Sequence, residues 1–110
     1  MKRLAFVVLA SSLFNLHGAH ALDVPEIFRE ADLRQGERLL EENRCAACHA
    51  QKFGGDGSAI YRPVGRVNTP ALLRGTVEQC NLTLNLSLFP EEVTDISAVL
   101  NRDYYRFKRQ

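Results

Sequence analysis

Cys45-Ala46-Ala47-Cys48-His49 is the stretch that decides how this chain is read. Cysteines three positions apart on a helical turn present their thiols on one face, and the imidazole of the next residue swings in beside them. A Cys-x-x-Cys-His run is the attachment signature of a c-type haem. The spacing lets the two thiols reach the two vinyl-derived carbons on one porphyrin edge while the imidazole ligates the iron. Cys45 and Cys48 are therefore expected to hold one haem c covalently, with His49 as its iron ligand.

Upstream, residues 1–21 read as a secretory signal peptide: Lys2 and Arg3 form a basic start, Leu4 to Leu16 an apolar stretch, and Ala19-His20-Ala21 an A-x-A cleavage site. The apolar stretch falls short of the ~20 residues that span a bilayer, so cleavage after Ala21 and no stable membrane insertion are expected. Export fits the motif, because thioether attachment takes place outside the bacterial cytoplasm, and the periplasm is the matching address. Cleavage leaves residues 22–110 as one domain of 89 residues, a size at which the hydrophobic core is marginal and a bound group helps to fill it. It also removes two of the 14 basic residues, leaving 12 against 13 acids. A net charge near −1 argues against nucleic acid and against an anionic membrane surface as partners. With Met1, His17 and His20 gone, the domain has His49 as its one histidine and no methionine.

Two other chemistries compete for the motif. Zinc could draw on Cys45, Cys48, His49 and Cys80, but ligands adjacent in sequence rarely close on one tetrahedral ion, and an exported chain is the wrong setting. A thioredoxin-like dithiol needs a βαβ context, which this sequence lacks.

The periodicity along the rest of the chain is helical, and an all-α fold is expected. A first segment opens near Pro25 and presents Ile27, Phe28 and Ala31. Asp32 then stands as N-cap with Gln35 at capping-box spacing, and Leu33, Gly36, Leu39 and Leu40 fall on one face of a helix predicted to run directly into Cys45. A glycine inside a helix costs about 1 kcal/mol against alanine, so Gly36 points to a close helix crossing. Residues 50–68, with Gly54, Gly55, Gly57, Pro63 and Gly65, read as an irregular loop wrapping the haem. Thr69-Pro70 restarts a helix, hydroxyl cap followed by proline at the first position, with Leu73, Val77, Cys80 and Leu84 as its apolar face. The last helix opens at Pro90 with Glu91 and Glu92 in its first turn and is expected to close on Arg106, Lys108 and Arg109, in keeping with the macrodipole. Its buried stripe is Val93, Ile96, Leu100, Tyr104 and Phe107.

With these residues in place, the chain resembles small monohaem class I cytochromes c over most of residues 22–110. The likeness rests on the helix with Gly36 leading into the haem motif, the loop bearing Pro63, and the closing helix from Pro90 to Asn101. It implies a cytochrome c-like fold around a covalently bound haem, a crossing of first and last helices at Gly36, and a carbonyl of Pro63 that fixes the His49 imidazole. Val99 stands where the family has an aromatic against the glycine, so that contact is expected to be rebuilt with Tyr104 or another residue. The chain is also similar, more weakly, to high-spin, ligand-binding cytochromes c in which an asparagine beside a cysteine fills the sixth position. Gln79-Cys80-Asn81 lies where that pair would, with Gln79 in place of the asparagine and Leu88 in place of a second cysteine.

Cys80 has three readings: a small buried hydrophobe, a cysteine paired between molecules, or a haem ligand or distal-pocket thiol. Asn81 and Asn85 each open an N-x-S/T pattern and are read as polar helix-end residues. Tyr104, Tyr105 and Phe107, interleaved with Arg106 and Lys108, read as half core stripe and half solvated face. No group that would activate a substrate stands beside the motif. The expected function is thus a periplasmic one-electron carrier that serves redox partner proteins and is not an enzyme. The rival is a haem protein that binds a diatomic gas, its sixth position empty, water-bound or weakly held by Cys80, Asn81 or another residue of the segment 79–85.

Overall fold

The computed structural model describes residues 23–62 and 65–110, so the signal-peptide reading of residues 1–21 and the role expected of Pro63 lie outside the described residues. Among the described residues the chain is all-helical, with no strand. Four α-helices follow one another: α1 (Leu33–Glu42), α2 (Cys45–Phe53), α3 (Pro70–Leu84) and α4 (Pro90–Leu100). Single 3₁₀ turns stand at Glu26–Phe28 and Ser58–Ile60, and a wide turn of π type covers Asn101–Tyr105. No helix of the described residues is long and apolar enough to cross a membrane.

The frame of the molecule is the crossing of α1 with α4. A methyl group on Gly36 would lie 2.3 Å from the Asp95 carbonyl oxygen and 2.8 Å from Val99 Cγ2, so the crossing tolerates hydrogen alone. Val99 itself fills the place beside the glycine, and Tyr104, expected to rebuild that contact, packs elsewhere. Asp32 caps α1 by accepting from Gln35 N–H at 3.0 Å. The reciprocal half of the expected capping box is replaced: Asp32 N–H donates to the buried Asp95 carboxylate at 2.8 Å, and the Gln35 amide turns toward Glu92 of α4. A carboxylate at that position is favoured by the positive end of α1 as well as by the hydrogen bond. At the head of α4, the Glu92 carboxylate accepts from Phe89 N–H at 2.8 Å. α3 is capped by Thr69 (Leu72 N–H to Oγ1, 3.1 Å) with Pro70 at its first position, and is tied to α4 by Arg74, which donates to Thr94 Oγ1 at 2.8 Å and to the Pro90 carbonyl at 2.9 Å.

Phe28, Leu39, Leu73, Ile96, Ala98, Leu100 and Tyr105 form the core, flanked by Ala31, Leu40, Val77 and Phe107. Several expectations are corrected. Ile27 is 41% exposed because the opening segment makes one 3₁₀ turn and presents Phe28 alone. Leu33 is exposed because, in the first turn of α1, its side chain leans toward the helix N-terminus and beyond the crossing. α1 does not run into Cys45. It ends at Glu42, where two acids oppose the dipole and Asn43 donates its side-chain amide to the Leu39 carbonyl at 2.8 Å, and Arg44 takes a left-handed φ of 53°. α2 then continues to Phe53, so the loop begins at Gly54 and is shorter than expected.

The end of α4 is corrected too. Arg106 N–H donates to the Asn101 carbonyl five residues back, at 2.7 Å. One extra residue in that turn shifts the register, leaving Tyr104 40% exposed and bringing Tyr105 to 7%. The chain leaves the helix at Arg106 (φ 55°), so Lys108 and Arg109 lie beyond it and do not answer its dipole. Asn101 folds this tail back with a pair of hydrogen bonds to Phe107 N–H (2.8 Å) and C=O (3.1 Å).

Candidate functional site

The break at Arg44 places Cys45 at the first position of α2, with Cys48 and His49 one turn on. All three line one cleft, which holds about 820 Å³ of atom-free space with its mouth included. Leu40, Leu100 and Ile96 form its floor side from the α1–α4 pair, and Tyr61, Val67 and Ile60 close one flank. The opposite wall is the face of α3 bearing Leu73, Thr76, Val77, Cys80 and Leu84, continued by Leu86. That face was expected to be core. Leu73 is buried, but Cys80 and Leu84 (54% exposed) open onto the cleft, which removes the reading of Cys80 as a buried hydrophobe.

The loop after α2 is pressed onto the site by Gly57. Its φ of 85° is left-handed, and a methyl group there would lie 2.5 Å from the Ala46 carbonyl and 2.9 Å from His49 Cβ. The loop then delivers Tyr61, whose hydroxyl lies 3.0 Å from His49 Nδ1. This is the one hydrogen bond of the imidazole among the described residues, and Nε2 is left to other partners. Partial burial, reinforced by the charge of Lys52, holds His49 below its ordinary pKa, so the ring is neutral at pH 7, the form that ligates metals. Burial pushes the Cys45 thiol up, with the Cys80 charge across the cleft as second cause. Burial likewise raises the Tyr61 phenol, which stays protonated. No disulfide joins Cys45, Cys48 and Cys80 among the described residues.

Asn81, weighed as a sixth-position ligand, is turned away from the cleft and 6% exposed. Its amide is committed to the segment after α3: Leu88 N–H donates to Oδ1 at 2.9 Å and Nδ2 donates to the Leu88 carbonyl at 3.2 Å. It is a structural clamp, the counterpart of Asn101 at the end of α4. Asn85 is the helix-end residue expected, left-handed at φ 55°. Gln79 is exposed and donates to Thr83. On the α3 wall, Thr76 returns its hydroxyl to the Leu72 carbonyl at 2.8 Å, so Cys80 is the remaining polar group of that wall.

The donor set could hold a flat, apolar, metal-bearing group by one edge. Among the described residues no three His, Cys, Asp or Glu side chains gather as an ion cage, whereas two thiols and a neutral imidazole stand on one edge of an apolar cleft. Tyr61 and the Asn81 clamp were missed in the sequence. A tyrosine twelve residues after His49 gives no periodic signal, and nothing in the sequence ties Asn81 to Leu88 seven residues on. No family model matches the sequence, and no curated protein and no solved structure matches it either.

Proposed function

We propose that this chain is a periplasmic c-type cytochrome of the class I kind, an electron carrier with one haem attached through Cys45 and Cys48 and ligated by His49. The observation that carries the reading is the meeting of the Cys-x-x-Cys-His residues with the apolar face of α3 across one cleft. When bound, haem supplies a one-electron Fe(III)/Fe(II) couple. Cys45 and Cys48 would hold the group covalently, each thiol adding its S–H across one vinyl C=C with no atom lost. His49 would ligate the metal through Nε2, since Nδ1 is engaged by Tyr61. Leu73, Val77, Ile96 and Leu100 line the cleft and would keep water from the bound group, and redox partner proteins would exchange electrons with it.

A second reading, binding of a diatomic gas, is favoured by the α3 wall, whose polar groups are the back-bonded Thr76 and the thiol of Cys80. With no methionine in the domain, a strong neutral sixth ligand is not at hand. Spectra of the purified protein before and after dithionite test both readings. Reversible reduction is expected for either, and carbon monoxide added to the reduced form is expected to shift the Soret band. A low-spin reduced spectrum unaltered at saturating gas would exclude the open site and leave the carrier alone. A protein without a reducible haem spectrum would end both.

A further inference from the structure

The Tyr61 hydroxyl lies 3.0 Å from His49 Nδ1, and the Tyr61 ring is held on three sides. It meets the His49 ring edge-on at 5.5 Å, lies 4.6 Å from the Tyr104 ring at 32°, and meets Tyr105 edge-on at 6.2 Å. Tyr105 in turn stacks on Phe107 at 5.5 Å. Two consecutive residues of a regular helix point about 100° apart and do not share a neighbour easily. The wide turn over Asn101–Tyr105 brings both tyrosines to Tyr61, and the Asn101 clamp on Phe107 holds that turn closed. Interruptions of this type recur at functional sites.

The chemistry of the imidazole gives the contact its direction. Nε2 can present a lone pair to a metal only when the ring proton sits on Nδ1, and a phenol oxygen at 3.0 Å is placed to accept that proton's hydrogen bond. Such a partner fixes the tautomer, stops rotation of the ring, and raises its electron donation.

Resting on the haem reading above, we infer that Tyr61, buttressed by Tyr104 and Tyr105, is the positioning residue of His49. It takes the part of a backbone carbonyl and couples the closing turn of α4 to the iron ligand.

The test compares holoprotein with the Tyr61→Phe and Tyr104→Phe variants, reading the reduction potential and the hydrogen exchange of the His49 Nδ1–H resonance. Tyr61→Phe keeps the ring packing and deletes the acceptor. Its Nδ1–H is expected to exchange at least tenfold faster. Its Fe(II)/Fe(III) ratio at fixed poise is expected to rise about threefold, roughly 28 mV at 59 mV per tenfold for one electron. Tyr104→Phe is expected to move neither. If Tyr61→Phe fails to fold, the wild-type protein decides: a protected Nδ1–H with cross-relaxation to the Tyr61 ring supports the assignment, and its lack overturns it. Haem present with potential and exchange unchanged in Tyr61→Phe overturns this inference alone, whereas wild-type chain without haem overturns the haem reading and this inference with it.

Discussion

A single methyl group at Gly36 would stand 2.3 Å from the Asp95 carbonyl, a backbone atom that cannot swing aside. Gly36→Ala is therefore expected to destabilise the protein by about 3 kcal/mol, the upper part of the range for overpacked cores, seen as a lower denaturation midpoint at unchanged slope; a midpoint within error of wild type would mean that the helices do not cross there. The glycine was legible because its cost inside a helix asks for a reason. Asp95, which answers the α1 cap from the other helix, was not legible, since a lone acid on a helix reads as solvated surface until the partner element is in place. Asn81 was read as a polar helix-end residue or a sixth-position ligand, because Leu88, the partner it holds, lies in a separate segment. Asn81→Ala leaves Leu88 N–H and C=O without their partners and is expected to cost about 1 to 3 kcal/mol, the range for buried polar groups left unpaired. On the haem reading proposed above, the resting spectrum is expected to match wild type, because the amide is spent on Leu88; a changed spin state would return Asn81 as a candidate sixth ligand.

Among the elements, α4 does the most to fix the site, because Ile96 and Leu100 are at once core and cleft. Leu100→Ala is expected to destabilise the protein by roughly 2 to 5 kcal/mol, as large-to-small core changes do, measured by thermal or denaturant unfolding; a loss under about 0.5 kcal/mol, the scale of surface changes, would mean that the helix end is not docked. Helix periodicity located Val93, Ile96 and Leu100 correctly and then misplaced the tyrosines by one, since a five-residue turn has no signature in apolar spacing. The split between α1 and α2 was hidden likewise. Leu39 and Leu40 carry the stripe up to the break, and a left-handed arginine gives none of the warning that glycine would. That split matters for chemistry: it frees Cys45, Cys48 and His49 to point along α2's own face, independent of the direction of α1.

At the scale of the whole molecule, α1, α3 and α4 were legible in order, α2 was hidden behind α1, and of the cleft only the Cys-x-x-Cys-His edge was legible. Its depth was not, because the stripe of Leu73, Val77, Cys80 and Leu84 reads identically whether it meets another helix or opens onto a cavity. The exposure of Leu84 beside the burial of Leu73 makes the difference. A short chain that turns the lower half of an amphipathic helix toward a cleft leaves apolar surface uncovered at about 25 cal/mol per Å², and a covalently held planar group would cover it. The central claim is that Cys45 and Cys48 carry that group through two thioether bonds. The most direct measurement is acid–acetone extraction of the purified protein, followed by the haem content and mass of the precipitated chain. One haem retained per chain after extraction is the predicted result, with none retained by the Cys45→Ala, Cys48→Ala double variant. Haem that leaves the wild-type chain with the acetone, or that stays with the double variant, would contradict it.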